Sequence, residues 1–522
     1  MKAFTEPLLS LAGFEEMTKT AEKSSGLISV TGCIDAQKSQ MIYAFGGHRK
    51  NKLIVTFGEQ KAKELYDEYS FFDKEVVYYP SKDVLFYQSD IRGNLLTAER
   101  IRALKAIREQ ERVTLVTTFD ALMNTMAPIE KMWENVLTLE QGQLLDLKEI
   151  QAALIRMGYE KEYQVQTMGQ FSVRGGILDV FPLTEENPIR IELWGDEIDT
   201  IRYFDCESQK SIENIDRVSI YPAAELVLSD EEKAGGIEKL KAEAKRVSDK
   251  LRKQMKTEEA HRVTVMADEL TEEWGELSMY AGMDAFLSYF FDERVGLLDY
   301  FKPSDSLIFF DELTRCAEQG KLTETEFSES MKQRLAMGYI LPGQMNGLFT
   351  EKEIVAKLEK YSCIALGALD NKANGLHQLG SYGIHCQSVS PYNNSFELLI
   401  KDLKRYKKNG YRVILLSGSR TRAKRLSEDI TDQGITCFYT ENYDHELFEG
   451  QIMVCYGKVR RGFEYPILKF AVITESDIFG AQQKKKKRHR TYEGEKIQSF
   501  TDLSVGDYVC LLYTSDAADD KA

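Results

Sequence analysis

The chain has 522 residues, 43% of them hydrophobic and 11% aromatic, with a net charge of −15. That length is too great for one core and predicts about three or four domains, and the apolar fraction excludes a disordered chain. The acidic balance argues against a protein whose main task is gripping duplex phosphates, because that affinity comes from Lys and Arg releasing counterions.

No apolar run approaches the length needed to span a bilayer, so no membrane association is expected. The opening MKAFTEPLLSLAGFEEM is acidic and amphipathic, unlike a signal peptide. Eight cysteines and six histidines are scattered without CxxC or other metal-ligand spacing, which predicts no metal site and reduced thiols in a cytoplasm.

From Gly26 to about Met126, the β-rich runs LISVTG, KLIVTF, EVVYYP and RVTLVTTF alternate with helical stretches at Ala36–Phe45, Glu59–Tyr69 and Thr97–Arg108. Such alternation predicts a parallel sheet covered by helices. The region Pro128–Ile215 opens with a helix-like stretch, Leu147–Met157, and continues into closely spaced antiparallel strands. One of them, Ile189–Trp194, has period two: Ile189, Ile191 and Leu193 suit a core, while Arg190, Glu192 and Trp194 share the wet face. A guanidinium and an indole side by side form a pairing enriched at protein–protein hot spots. Long helical patterns follow, including Glu232–Met255, and then SLIFFDE (Ser306–Glu312), a buried-looking strand ending in two acids. The polar stretch Pro342–Lys352 reads as a linker. Beyond it SCIALGA, a helix at Phe396–Lys408, RVILLS, a helix at Arg422–Gln433, QIMVCY and KFAVITE predict a second small α/β domain.

At the first strand-to-helix turn, Gly32-Cys33-Ile34-Asp35-Ala36-Gln37-Lys38-Ser39 has the spacing of a phosphate-binding loop, GxxxxGK[ST], with Gln37 where the second glycine belongs. That glycine lets backbone N–H groups turn inward onto phosphate. A Cβ held in a left-handed conformation costs roughly 1–2 kcal/mol, and Asp35 adds negative charge where phosphate would lie. Asp311 and Glu312 resemble the acidic pair with which nucleotide hydrolases hold magnesium. Together Gly32, Gln37, Lys38, Ser39, Asp311 and Glu312 read as a degenerate nucleotide site in a RecA-like lobe.

The words SVRGGILDVFP, GDEID and FD between Gln170 and Glu213 resemble the UvrA-interaction domain shared by UvrB and the transcription-repair coupling factors (Mfd). The order of degenerate phosphate loop, inserted domain and DE-ending strand is similar to UvrB. UvrB itself has an intact loop and a tyrosine-bearing β-hairpin that clamps damaged DNA; Tyr78, Tyr79 and Tyr87 lie in the matching stretch here without that hairpin's pattern. The chain therefore resembles the non-hydrolytic UvrB-homology half of the coupling factors. GKVRRGFEYPILKFAVITESDIFG (Gly457–Gly480) is similar to the segment preceding their polymerase-interacting domain, and Ser417–Arg422 to the first turn of a second helicase lobe.

The resemblance implies an α/β multidomain protein: a degenerate RecA-like, UvrB-like parallel-sheet lobe with an inserted antiparallel α+β domain, then a second small α/β domain. The expected boundaries are 1–127 and 216–341 for the lobe, 128–215 for the insertion, 342–352 for the linker and 353–480 for the second domain. A basic linker at 481–500, the start of an RNA-polymerase-interacting domain at 501–509 and a non-native tail at 510–522 complete the reading. The implied UvrA-contacting residues are Arg174, Arg190 and Trp194, on a surface masked in the full-length family by its C-terminal domain. The implied function is a docking module, inactive by itself and monomeric, that recruits UvrA to stalled RNA polymerase. ATP, magnesium, polymerase and duplex DNA would be served by motor and binding domains absent here. The rival is a UvrB-type nucleotide-dependent DNA enzyme using Lys38 and Asp311. The run Lys484, Lys485, Lys486, Lys487, Arg488, His489 and Arg490 reads first as a mobile connector and second as a nucleic-acid contact. Lys458, Arg460 and Arg461 suit either a solvated loop or an anionic partner.

Overall fold

The computed structural model describes residues 1–45, 49–82, 94–276, 283–369 and 375–480. Among the described residues two compact units emerge: 1–388 with 440–448 and 463–470, and a second of 389–439, 449–462 and 471–480.

The first unit is organised by a seven-stranded sheet, in spatial order Gln378–Gly383, Gly26–Thr31, Ser362–Leu366, Ser306–Asp311, Asn51–Thr56, Val113–Thr118 and Val77–Tyr79. Every pairing is parallel, with Leu27 and Ile308 flanking Cys363, and Leu53 between Ile308 and Leu115. The strands Ser362–Leu366, Ser306–Asp311 and Val113–Thr118 are buried along their whole length, as strands of a parallel sheet covered on both faces are. SLIFFD is buried along its whole length, which brings Asp311 to the carboxyl end of the sheet.

The sequence assigned Ser362–Leu366 to a second domain starting at 353. It lies instead between Gly26–Thr31 and Ser306–Asp311, inside the first sheet. Pro342–Lys352 is no linker either. A 3-10 turn at Pro342–Gly347 buries Gln344, which accepts from the Leu341 N–H, and Leu348 and Phe349 pack into the main core.

The insertion has its own six-stranded sheet, ordered Ser211–Ile215, Glu197–Phe204, Ile189–Trp194, Ile177–Val180, Gln170–Arg174 and Glu160–Lys161. Its pairs are antiparallel except for the last. Entry and exit are tied by Leu137–Glu140 against Arg217–Ile220, so the insertion continues past the expected boundary at 215. Helix Leu147–Arg156, capped by Asp146, contributes Leu154 to a core with Phe171, Leu178, Val180, Ile189, Ile191 and Ile201. Beyond it, Asp230–Lys253 begins at a Ser229/Glu232 capping box and pairs with Thr257–Glu276 around the buried Trp274.

In the second unit the strands run in the order Phe470–Thr474, Arg412–Ser417, Ile452–Tyr456 and Phe438–Tyr439, the last three mutually parallel. Helices Phe396–Lys408 and Arg420–Asp432 bury Leu399, Leu403, Ala423 and Ile430 in a separate core.

Candidate functional site

The insertion's central strand alternates as its sequence requires. Ile189 and Ile191 are fully buried, and on the opposite side the pairing sets Arg190 across from Asp179 on one neighbour and Arg202 on the other. Asp179 is 1% exposed and holds this face together. It accepts from Arg190 Nε at 2.6 Å, from Arg190 Nη2 at 2.8 Å and from Arg174 Nη2 at 2.9 Å. Arg190 also donates to Gln209 Oε1 at 2.8 Å and lies 4.3 Å over the Phe204 ring. The hydrogen bonds that Arg190 donates to Asp179 outweigh desolvation and raise the Arg190 pKa above its ordinary value. A second pair stands beside it: Arg202 Nη1 reaches Glu192 Oε2 at 2.9 Å, and Thr200 Oγ1 reaches the same oxygen at 3.2 Å.

Trp194 ends the strand at a hairpin where Gly195 takes φ +65°, a conformation that favours glycine. Its indole is 85% exposed, whereas Trp274 is 1% exposed. It borders an open depression of about 710 Å³ lined by Glu140, Glu197, Asp199, Asp216 and Arg217. The arrangement is a plate of paired charges with an uncovered indole at its edge. Arg190 and Trp194 share the outer face as alternation requires, but they are not equally open. The Arg190 side chain is 12% exposed and locked onto Asp179, while Arg174 is 36% exposed. Asp179, Phe204 and Gln209 escaped the sequence reading, because their roles depend on which strands pair and in what register.

The degenerate phosphate loop is closed from within. Gly32 has φ +78°, and a Cβ there would sit 2.1 Å from the Ile384 carbonyl oxygen. Lys38 is 1% exposed and donates to Asp311 Oδ1 at 2.5 Å, Glu312 Oε1 at 3.0 Å and Asp35 Oδ1 at 3.1 Å. Burial alone would lower its pKa, but the charge of Asp311 and their hydrogen bond prevail and raise it. Asp311 also accepts from Thr56 Oγ1 at 3.0 Å. Gln37 is fully buried, and its Oε1 accepts from the Tyr465 hydroxyl at 3.2 Å. Ser39 is buried in the same helix. The three protons of Lys38 thus face three carboxylates, while Gln37 Nε2 and Ser39 Oγ are buried without a hydrogen-bond partner.

Tyr78 and Tyr79 are 8% and 1% exposed. The Tyr78 hydroxyl donates to Glu59, and Arg100 donates to the Tyr79 hydroxyl while stacking 4.0 Å over its ring. These two rings are therefore core residues; Tyr87 lies outside the described residues. Arg100 Nε also donates to Glu225 Oε1 at 2.7 Å, and Lys82 lies 3.0 Å from the same carboxylate. This buried cluster anchors the insertion's exit to the lobe.

In the second unit Ser419 caps helix Arg420–Asp432 by accepting from the Arg422 N–H at 3.2 Å. Glu475 accepts from Ser417 Oγ at 2.8 Å, from Gly418 N–H at 2.6 Å and from Arg422. The run Lys484, Lys485, Lys486, Lys487, Arg488 and Arg490, the 481–500 linker, 501–509 and the 510–522 tail lie outside the described residues. Among the described residues no His/Cys/Asp/Glu group is arranged to hold a metal ion, and no helix is long and apolar enough to cross a membrane.

Residues 137–226 match the UvrB interaction domain family, so the sheet bearing Arg174, Arg190 and Trp194 is of that class. Over most of its length the chain is also similar to transcription-repair-coupling factors. It is 28% identical to that of Bacillus subtilis (strain 168) over 459 residues, 87% of this chain and 38% of the relative. Against the Staphylococcus haemolyticus (strain JCSC1435) protein it is 28% identical over 494 residues, covering 92% and 41%. The Staphylococcus aureus (strain MRSA252) protein is 27% identical over 511 residues, covering 95% and 42%. The chain spans about two fifths of the length of these curated relatives. Domain match and similarity together support a transcription-repair-coupling-factor N-terminal region.

Proposed function

We propose that this chain is the recruiting part of a transcription-repair coupling factor, a docking module that captures UvrA through the plate of Arg174, Arg190 and Trp194. The observation that carries the reading is Trp194, 85% exposed at the edge of a plate fixed by the buried Asp179. An indole left in water lowers the solubility of a surface and serves recognition when a partner covers it. Arg174 acts as a direct contact and Arg190 as the residue that orients Asp179 and, through it, Arg174. The RecA-like lobe is a non-hydrolytic mount, since the residues that would meet nucleotide meet one another. Stalled RNA polymerase, ATP and magnesium, and the duplex DNA on which the motor works, are engaged by the remainder of the intact protein, in the cytoplasm, and the module works as a monomer. Isothermal titration of the chain with purified UvrA tests this: saturable binding that weakens on Arg174→Ala supports the reading, and absence of binding at tens of micromolar overturns it.

A further inference from the structure

Charge is unevenly distributed along the chain. Over residues 389–439, 449–462 and 471–480 the second unit carries thirteen Lys and Arg against eight Asp and Glu, whereas the whole chain stands at −15. The excess gathers at one end of the unit's sheet. Strands Arg412–Ser417 and Ile452–Tyr456 run parallel with Ser417 opposite Tyr456, and the Gly457 N–H donates to the Ser417 carbonyl at 3.0 Å. The segments that follow the two strands therefore leave side by side. One enters helix Arg420–Asp432 with Arg420, Arg422, Lys424 and Arg425 exposed, Arg422 being paired with Glu475, which also accepts from Ser417 and Gly418. The other carries Lys458, Arg460 and Arg461, all exposed, with the buried Val459 between them fixing the loop.

Helix stability does not account for this pattern. Arg420–Asp432 places its four basic residues in its first half and Glu428, Asp429 and Asp432 in its second, opposite to what its dipole favours. Its neighbour Phe396–Lys408 follows the dipole, with Glu397 in the first turn and Arg405, Lys407 and Lys408 in the last. Among the described residues the unit's large exposed apolar side chains, Leu398 and Phe479, belong to other helices. Basic side chains, with Ser and Thr hydroxyls between them, suit a phosphate backbone better than a protein partner, whose hot spots centre on apolar anchors.

We propose that this end of the second unit is a contact surface for the phosphodiester backbone of duplex DNA, formed by Lys458, Arg460 and Arg461 with Arg420 and Lys424 alongside. It is sequence-independent, and it stands apart from the UvrA-docking reading. The test is fluorescence anisotropy of a labelled random-sequence duplex titrated with the full chain between ~50 and ~200 mM salt. Two neutralised variants, Lys458→Gln/Arg460→Gln/Arg461→Gln and Arg420→Gln/Lys424→Gln, are compared with Lys484–Lys487 all changed to Gln, and circular dichroism melting confirms that each is folded. The loop variant is expected to bind at least ~10-fold more weakly at low salt, with a log–log salt slope shallower by ~0.9 per phosphate contact removed. The helix variant is expected to show a smaller loss in the same direction. Unchanged affinity and slope in both variants would overturn the proposal. So would a loss confined to the Lys484–Lys487 variant, no binding by the parent chain at low salt, or equal capture of polyglutamate.

Discussion

Replacing Lys38 with Met separates a structural lysine from a nucleotide ligand. The ammonium sits among Asp311, Glu312 and Asp35, and Asp311 is only 2% exposed. Lys38→Met leaves the Asp311 carboxylate buried, still accepting from Thr56 Oγ1 but without its ammonium partner. Breaking a buried pair from one side costs about 3–5 kcal/mol, a large share of the ~5–15 kcal/mol that holds a domain folded. The double variant Lys38→Met/Asp311→Asn removes both charges and should return most of that loss. Because the folded lysine's pKa is raised, its contribution is complete at neutral pH and declines only as pH climbs through the lysine range toward the folded value. Urea unfolding of the single and double variants at pH 7, run beside a fluorescent-ATP titration, is the assay. A single-variant loss below about 1 kcal/mol, or magnesium-dependent ATP binding by the parent chain that disappears in Lys38→Met, would refute the reasoning and restore the enzymatic rival.

Two further outcomes follow from the buried charges. Burial would raise the Glu225 pKa, but Arg100 and Lys82 override it and hold the carboxyl well below the usual range. The stability it confers is therefore present above the ordinary glutamate pKa of about 4.3 and is lost as pH falls through the folded value. Acid titration of Glu225→Gln should accordingly show a flatter loss of stability below pH ~4.5 than the parent, and parallel curves would contradict the assignment. Arg190→Ala removes two donors from the buried Asp179 and should cost about 1–3 kcal/mol in urea unfolding, with Arg190→Lys recovering only part because one ammonium does not reproduce the fork.

Local periodicity disclosed much of this architecture. Helix Phe396–Lys408 falls on the residues its pattern marks, and Ile189–Trp194 turns its isoleucines inward as two-residue alternation demands. What stayed hidden was pairing across distance. Alternation puts Arg190 on the outer face, yet only the register with Ile177–Val180 reveals Asp179 opposite it. Likewise SCIAL reads as a buried strand in any sheet, and its place between Gly26–Thr31 and Ser306–Asp311 comes from partners more than fifty residues away on one side and over three hundred on the other. Pro342–Lys352 looked like a linker because its polar residues outnumber Leu348 and Phe349, the two that decide its packing. At the phosphate loop Gln37 was legible as a departure from the glycine of the GxxxxGK[ST] spacing. The capture of Lys38 by Asp311 required the parallel sheet to bring residues 273 positions apart into contact.

The central claim, a docking plate with an uncovered indole, meets its most direct test in calorimetric titration of UvrA with Trp194→Ala. The indole touches no core, so the variant should unfold within about 0.5 kcal/mol of the parent. Its affinity for UvrA should fall by about 2 kcal/mol or more, roughly thirtyfold. Undiminished affinity in a folded Trp194→Ala chain would contradict the account.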